Sequence, residues 1–311
     1  MDGAGGFETL RIEAPAPGVA RIVLDRPEAR NAQNLAMLYE LNAAFDRAVA
    51  DPSVRAIVLA ASGPHFSSGH DLRERLGEAH RPPTVGTWSG FDAPGAEGRF
   101  AHEQEVYLQM TRRWRDLSKP TIAAVHGQCI AGGLMLAWAC DLIVAAEDAR
   151  FRDPVVAMGV LGVEWFAHPW ELGPRKAKEL LFLAESWSAD EAHRLGMVNR
   201  VVPRDQLDRT VLDMAVRIAA MPTLAVRLAK EAVNRSVDIM GQASAIDAAF
   251  GLHHVCHAHN MLRFGLPVDP AGLPEALRPG SPTPTPAPDS TPTPTPTPDS
   301  PGPHRPHEGA R

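Results

Sequence analysis

Phe66-Ser67-Ser68-Gly69-His70-Asp71-Leu72 and His126-Gly127-Gln128-Cys129-Ile130-Ala131-Gly132-Gly133 are the two stretches on which the reading of this chain turns. Each follows an apolar, strand-like run, residues 55–60 before the first and 121–125 before the second, and each bends at glycine. The second then opens a helix-like segment, 134–140. Glycine lets backbone N–H groups approach a ligand closely, and a helix N-terminus adds partial positive charge. Two such amides aimed at one carbonyl oxygen would make an oxyanion hole, which stabilises an enolate or a tetrahedral anion. Together the turns mark a candidate active site; either alone is a weak signal.

Outward from these turns the chain reads as mixed α/β. Val19–Leu24 alternates as a strand and ends at Arg26-Pro27, and Asn34 is placed to cap a helix to Ala50 with Leu38, Leu41, Phe45 and Val49 on one face. Residues 73–102 are rich in Gly, Pro and polar groups, a stretch that reads either as a lid over the site or as an inert insertion. A helix is expected over 103–117, strands over 121–125, 141–146 and 199–202, and an irregular segment over 151–171. Pro174 can start a helix, and Ser188 with Glu191 forms a capping box. From Asp205 the pattern turns helical, with Leu207, Val211, Met214 and Ile218 on one face and Leu224, Leu228 and Val233 continuing after Pro222; the last helix is expected over 241–264. The expected division is an α/β core at 1–204, a helical module at 205–266, and a Pro/Thr-rich tail at 267–311 too poor in large apolar groups to build a core, hence disordered.

Composition narrows the function classes. A net charge of -6 argues against nucleic acid as the main partner, though a local basic spot could still hold a phosphate-bearing group. Cys129, Cys140 and Cys256 are too few and scattered for a disulfide framework. Neither a basic-then-apolar leader nor an apolar run of membrane-spanning length appears, so a cytoplasmic protein without membrane partner is expected. No phosphate-binding GxxxxGK, nucleophile-elbow GxSxG or dinucleotide GxGxxG is present.

These turns, with Arg26-Pro27-Glu28-Ala29-Arg30-Asn31-Ala32, Ala139-Cys140-Asp141-Leu142-Ile143, Phe151…Pro154 and Ala192-His193-Arg194-Leu195-Gly196-Met197-Val198, resemble the crotonase superfamily, the enoyl-CoA hydratase/isomerase group. The resemblance implies a spiral of ββα repeats with a C-terminal helical trimerisation module, assembled as trimers or hexamers. It implies a coenzyme A thioester substrate and no separate cofactor, coenzyme A being part of the substrate. By motif position the N–H groups of His70 and Gly132 would hold the thioester oxygen. Ser68, Asp71 and Leu72 would line the thioester and adenine region, and Arg30 would approach the phosphates.

The chain departs from that pattern at the acids. Where similar hydratases carry two glutamates that activate water, this chain has Met135 and Val155, neither able to move a proton. A further acid slot of the superfamily falls at Val163, next to Glu164, and a one-residue shift makes Glu164 the expected proton-transfer group, with a pKa raised by apolar neighbours. His168 is a second candidate, either facing the substrate or hydrogen-bonded in the core, and Glu171, one helical turn on, is expected to orient it or pair with a neighbouring charge. His253 and His257 share a helix face as zinc ligands can, but no acid nearby in sequence completes the pair. That helix therefore reads as partly exposed and no metal is expected. The expected function is an acyl-CoA thioester enzyme of the enoyl-CoA hydratase/isomerase type. Isomerisation, C–C hydrolysis, decarboxylation and silent acyl-CoA binding are the alternatives.

Overall fold

The computed structural model describes residues 6–74, 84–86 and 88–279. Runs such as Ala-Ile-Val-Leu-Ala-Ala at 56–61 are apolar on both faces, as strands covered on both sides must be. They form a six-stranded sheet in the order β1 (Leu10–Ala16), β2 (Val19–Leu24), β3 (Ala56–Ala61), β4 (Thr121–Val125), β6 (Leu142–Ala146), β9 (Arg200–Val202). Only the β1–β2 pairing is antiparallel. A second, smaller sheet joins β5 (Gln128–Ile130), β7 (Arg150–Arg152) and β8 (Ser186–Ser188). Three-residue strands carry no readable alternation, which is why this smaller sheet is not legible in the sequence.

Alternation assigns the two faces of the large sheet. Ile57, Leu59, Ala123 and Val125 point to the main core with α1 (Leu35–Ala50), whereas Val58, Ala60, Ile122 and Ala124 meet Leu207, Val211, Ala215 and Ala219 of α8 (Leu207–Ala219). The helix expected to open a separate C-terminal module thus covers the sheet, because its apolar stripe matches an otherwise bare face. The α/β core accordingly extends past residue 204.

Asn34 caps α1 as expected, its Oδ1 accepting the Met37 N–H at 3.0 Å. Ser188 caps α7 (Ala189–Arg194) through the Glu191 N–H at 3.1 Å, but the Glu191 carboxylate turns to Lys176 at 2.7 Å, leaving the capping box half made. The helix expected over 103–117 begins earlier: α2 (Ala96–Glu103) passes through a π-helical turn, Gln104–Gln109, into α3 (Met110–Arg115). Such wide turns recur at functional sites, and this one carries Tyr107 just after Glu103. Of the expected lid, residues 75–83 and 87 lie outside the described residues; Val85 and Gly86 donate to Glu105, and Trp88 packs on Phe100 at 5.2 Å.

The remaining elements are α4 (Gly132–Trp138), α5 (His168–Leu172), α6 (Pro174–Leu183), α9 (Thr223–Ile239) and α10 (Gln242–Phe264). Leu224, Leu228 and Val233 on α9 are 68%, 57% and 63% exposed, so this chain does not cover the apolar positions that follow Pro222. Residues 267–279 correct the expected tail boundary. They are packed: the Asp269 N–H donates to Met158 O at 2.8 Å, and the Pro267 carbonyl accepts from His257 and Asn260. The Pro/Thr repeats from 280 lie outside the described residues. Among the described residues no helix is long and apolar enough to cross a membrane.

Candidate active site

β3 and β4 are neighbouring parallel strands, so the turns that leave them emerge at the same end of the sheet, beyond the carboxyl ends of its strands. Short bridges then lock the turns together. Ser67 pairs with Cys129 and Gln33 with His70; the Ile130 N–H donates to Ser67 O at 2.9 Å, and the Asp71 N–H to Gln33 O at 2.9 Å. A Cβ on Gly69, at φ +91°, would stand 2.8 Å from Ile130 O and 3.2 Å from the Gly132 nitrogen. That close approach is what requires glycine there. Among the described residues neither the His70 N–H nor the Gly132 N–H has a backbone acceptor: the bridge uses the Gly69 carbonyl and the Asp71 N–H on either side of the former, and the latter begins α4.

A polar frame holds the first turn. Asn31, fully buried at left-handed φ 52°, donates to Ser62 O and His65 O at 2.9 Å each and accepts the Arg26 N–H at 2.9 Å. The Arg26 guanidinium pairs with Asp71 at 3.1 Å, so Asp71 anchors the loop. Ser68 is half-buried, with its N–H on Arg30 O at 3.0 Å; the Arg30 side chain is exposed and Leu72 is 49% exposed. The four residues expected around the thioester and phosphates therefore lie on or beside one turn.

The His70 imidazole lies against Gly132. A Cβ there would meet its Cε1 at 2.6 Å and its Nδ1 at 2.8 Å. Tyr107 stacks on the ring at 3.8 Å, and the other ring nitrogen, Nε2, meets Glu164 Oε2 at 3.2 Å. Nδ1 is buried without a hydrogen-bond partner. Glu164 is buried as well, and burial by itself pushes its carboxyl up. The charge and hydrogen bond of His70, with a contribution from His253, outweigh this and hold it below the usual carboxylate range. This reverses the expected raised pKa: Val163 and Trp165 are apolar in sequence, but the fold brings two imidazoles to the carboxylate.

Asp153 fixes the segment that carries Glu164, its Oδ2 accepting the Val163 N–H at 3.0 Å and meeting His168 Nε2 at 2.8 Å. His168 is 1% exposed and packs edge-on against Trp138 at 4.9 Å, a core position that does not present it to a substrate. Glu171 does not orient it. Among the described residues no ion pair includes Glu171, and burial alone pushes its carboxyl up to about 7. Of the residues at the usual acid positions, Met135 is buried and Val155 half-buried. Cys129 and Cys140 are free thiols, and burial pushes the Cys140 thiol up to about 12.

Sequence reasoning missed Glu103, Tyr107, Arg26 and Gln33, which come to the site from elements remote in the chain. It also misread α10: His253 and His257 are buried, and the acid that appeared to be lacking is Glu103, on α2. No sequence signal pairs residues 150 apart.

Comparison with known proteins agrees with the architecture. The model of the enoyl-CoA hydratase/isomerase family matches residues 15–267. A Mycobacterium tuberculosis protein provisionally named enoyl-CoA hydratase EchA13 is 49% identical over 261 residues, 81% of this chain and 82% of that protein. A hexahydro-indene-carboxyl-CoA hydrolase of the same organism is 36% identical over 221 residues, 71% of this chain and 82% of that protein. The crystal structure of a probable enoyl-CoA hydratase from Mycobacterium smegmatis superposes with a TM-score of 0.77 at 47% identity, covering 84% of this chain and 98% of that one. With the paired turns, the parallel sheet and these relatives in agreement, the chain belongs to the enoyl-CoA hydratase/isomerase family of enzymes, within the crotonase superfamily.

Proposed function

We propose that the protein acts on a coenzyme A thioester, placing the thioester carbonyl oxygen on the N–H groups of His70 and Gly132 and stabilising the enolate that forms when the adjacent carbon gains or loses a proton. Charge that develops on the oxygen meets two dipoles already in place, and one such donor is worth about 2.7–4 kcal/mol of barrier. The proton is handled by His70 and Glu164 as a unit. Glu164 holds Nε2, and Nδ1, beside Gly132, is the nitrogen that exchanges a proton with the substrate carbon. The observation that carries this reading is the imidazole itself: it is clamped by Glu164 and Tyr107, lies on the Gly132 backbone, and its remaining nitrogen has no hydrogen-bond partner. His70–Glu164 thereby stands in for the carboxylates that Met135 and Val155 replace. Coenzyme A belongs to the substrate, with Arg30, Ser68 and Leu72 beside it. Self-assembly into trimers, or pairs of trimers, through the exposed apolar positions of α9 completes the proposal.

The test separates enolate chemistry from its outcome. Saturated and α,β-unsaturated acyl-CoAs are incubated with the protein in D2O, and exchange at the α-carbon is followed by NMR alongside product analysis. Exchange with a water adduct means hydration, exchange with a migrated double bond means isomerisation, and tight binding without exchange refutes the reading.

A further inference from the structure

Behind His70, α2 and α10 enclose a polar cluster that the proposed chemistry does not use. Glu103 ends α2, and His253 and His257 lie one turn apart on α10, all three buried. The Glu103 carboxylate faces both imidazoles, Oε2 to His253 Nε2 at 3.5 Å and Oε1 to His257 Nε2 at 3.3 Å, with His254 Nε2 at 3.3 Å from Oε2. Glu164 Oε1 lies 3.6 Å from His253 Nε2. Phe100 packs against Phe250 at 5.2 Å and against His254 at 4.7 Å, joining the two helices over the cluster.

The tautomers follow from the opposite sides of the rings. His253 Nδ1 meets Gly162 O at 3.0 Å and His257 Nδ1 meets Pro267 O at 2.6 Å. A carbonyl oxygen only accepts, so each Nδ1 carries a proton, and each ring turns Nε2 toward Glu103, as a lone pair when the ring is neutral and as a second N–H when it is protonated. In the neutral rings a nitrogen lone pair faces the lone pairs of a carboxylate, an arrangement that repels until a proton or a metal cation stands between them. Glu103 Oε2, His253 Nε2 and His254 Nε2 are buried without a hydrogen-bond partner. Such groups are costly to bury, and a shared cation lowers that cost. The spacing has the right scale. Ligands bonded tetrahedrally at about 2.0–2.1 Å stand about 3.3–3.4 Å apart, and the contacts from Glu103 to His253 and His257 are 3.5 and 3.3 Å. The ligating atoms of Glu103, His253 and His257 all lie within 4.8 Å of one another. Imidazoles that donate Nδ1–H to backbone carbonyls are also the usual support of metal-binding histidines.

We propose that Glu103, His253 and His257 bind one divalent transition-metal ion, zinc by the chemistry of two imidazoles and a carboxylate, with His254 beside the fourth position. The ion ties α2 to α10 and, through Glu164, borders the His70 pair. It does not depend on the enolate reading, since the cluster needs no substrate.

The experiment uses the full-length chain without an affinity tag, stripped with chelator and titrated with zinc or cobalt(II) against a competing chromophoric chelator. Metal content is read by mass spectrometry and cobalt coordination by visible absorption. One equivalent per chain with a tetrahedral cobalt spectrum is expected. Glu103→Gln and His257→Ala should each weaken binding by about 100-fold or more, while the exposed His259→Ala should bind as the parent does. Folding of each variant is checked by circular dichroism. Failure of the unmodified protein to bind either ion overturns the proposal, and so does unchanged affinity in folded Glu103→Gln. Neither result touches the D2O exchange test of the enolate reading.

Discussion

Replacing Glu164 with Gln keeps the size of the side chain and removes its charge, and the consequence for proton transfer can be worked from one distance. Oε2 lies 3.2 Å from His70 Nε2. At an effective dielectric constant of about 20, unit charges of opposite sign at that separation attract by about 5 kcal/mol, an upper bound on what Glu164 lends to the positive charge that builds on the ring during proton transfer. Tyr107, His253 and residual solvent share the field, so about 2–4 kcal/mol should be lost from the barrier-lowering. That corresponds to a fall of about 30- to 1,000-fold in rate, within the range of up to about 10⁴ seen when a carboxylate that orients a catalytic imidazole is neutralised. The assay is α-proton exchange of an acyl-CoA in D2O, with the half-saturating substrate concentration measured in parallel. Glu164 touches the ring, whereas the substrate oxygen is assigned to backbone N–H groups, so the rate should fall while half-saturation stays within about threefold. An exchange rate within about threefold of the parent would refute the His70–Glu164 unit; a loss confined to binding would place Glu164 on the substrate instead.

Gly69→Ala puts a methyl group at φ +91°, 2.8 Å from Ile130 O and 3.2 Å from the Gly132 nitrogen, both backbone atoms that cannot swing away. Urea unfolding should show a loss of about 2–4 kcal/mol, and a loss under about 0.5 would mean the turns do not press together. Glu171 has its carboxyl pushed up to about 7, so the folded chain binds a proton that the unfolded chain releases near 4.5, and stability falls as pH rises through that window. Glu171→Gln should therefore stabilise by about 1–3 kcal/mol at pH 8 and by nothing at pH 4.5; an equal gain at both, read by thermal melting, contradicts the burial of this carboxyl. Leu228→Glu charges an α9 position that is 57% exposed in the single chain. Light scattering should show smaller assemblies for this variant, and an unchanged mass would move the interface elsewhere.

What the sequence determined by itself was local or short-range. Strand runs, the Asn34 cap, and glycines needed where backbone meets backbone are dictated by neighbours a few residues away, so both turns and a mixed α/β core were legible before any coordinates. The same locality explains the errors. Residues 267–279 look featureless until Met158 and Asn260 bind them, and α8 looks like the start of a module until the bare face of the sheet claims it. Tertiary structure alone decided the chemistry around Glu164. Its chain neighbours are apolar and argue for a protonated acid, but a carboxyl's charge answers to whatever lies within a few ångströms. Here those are imidazoles from residues 70 and 253, delivered by a turn and a helix nearly 200 residues apart.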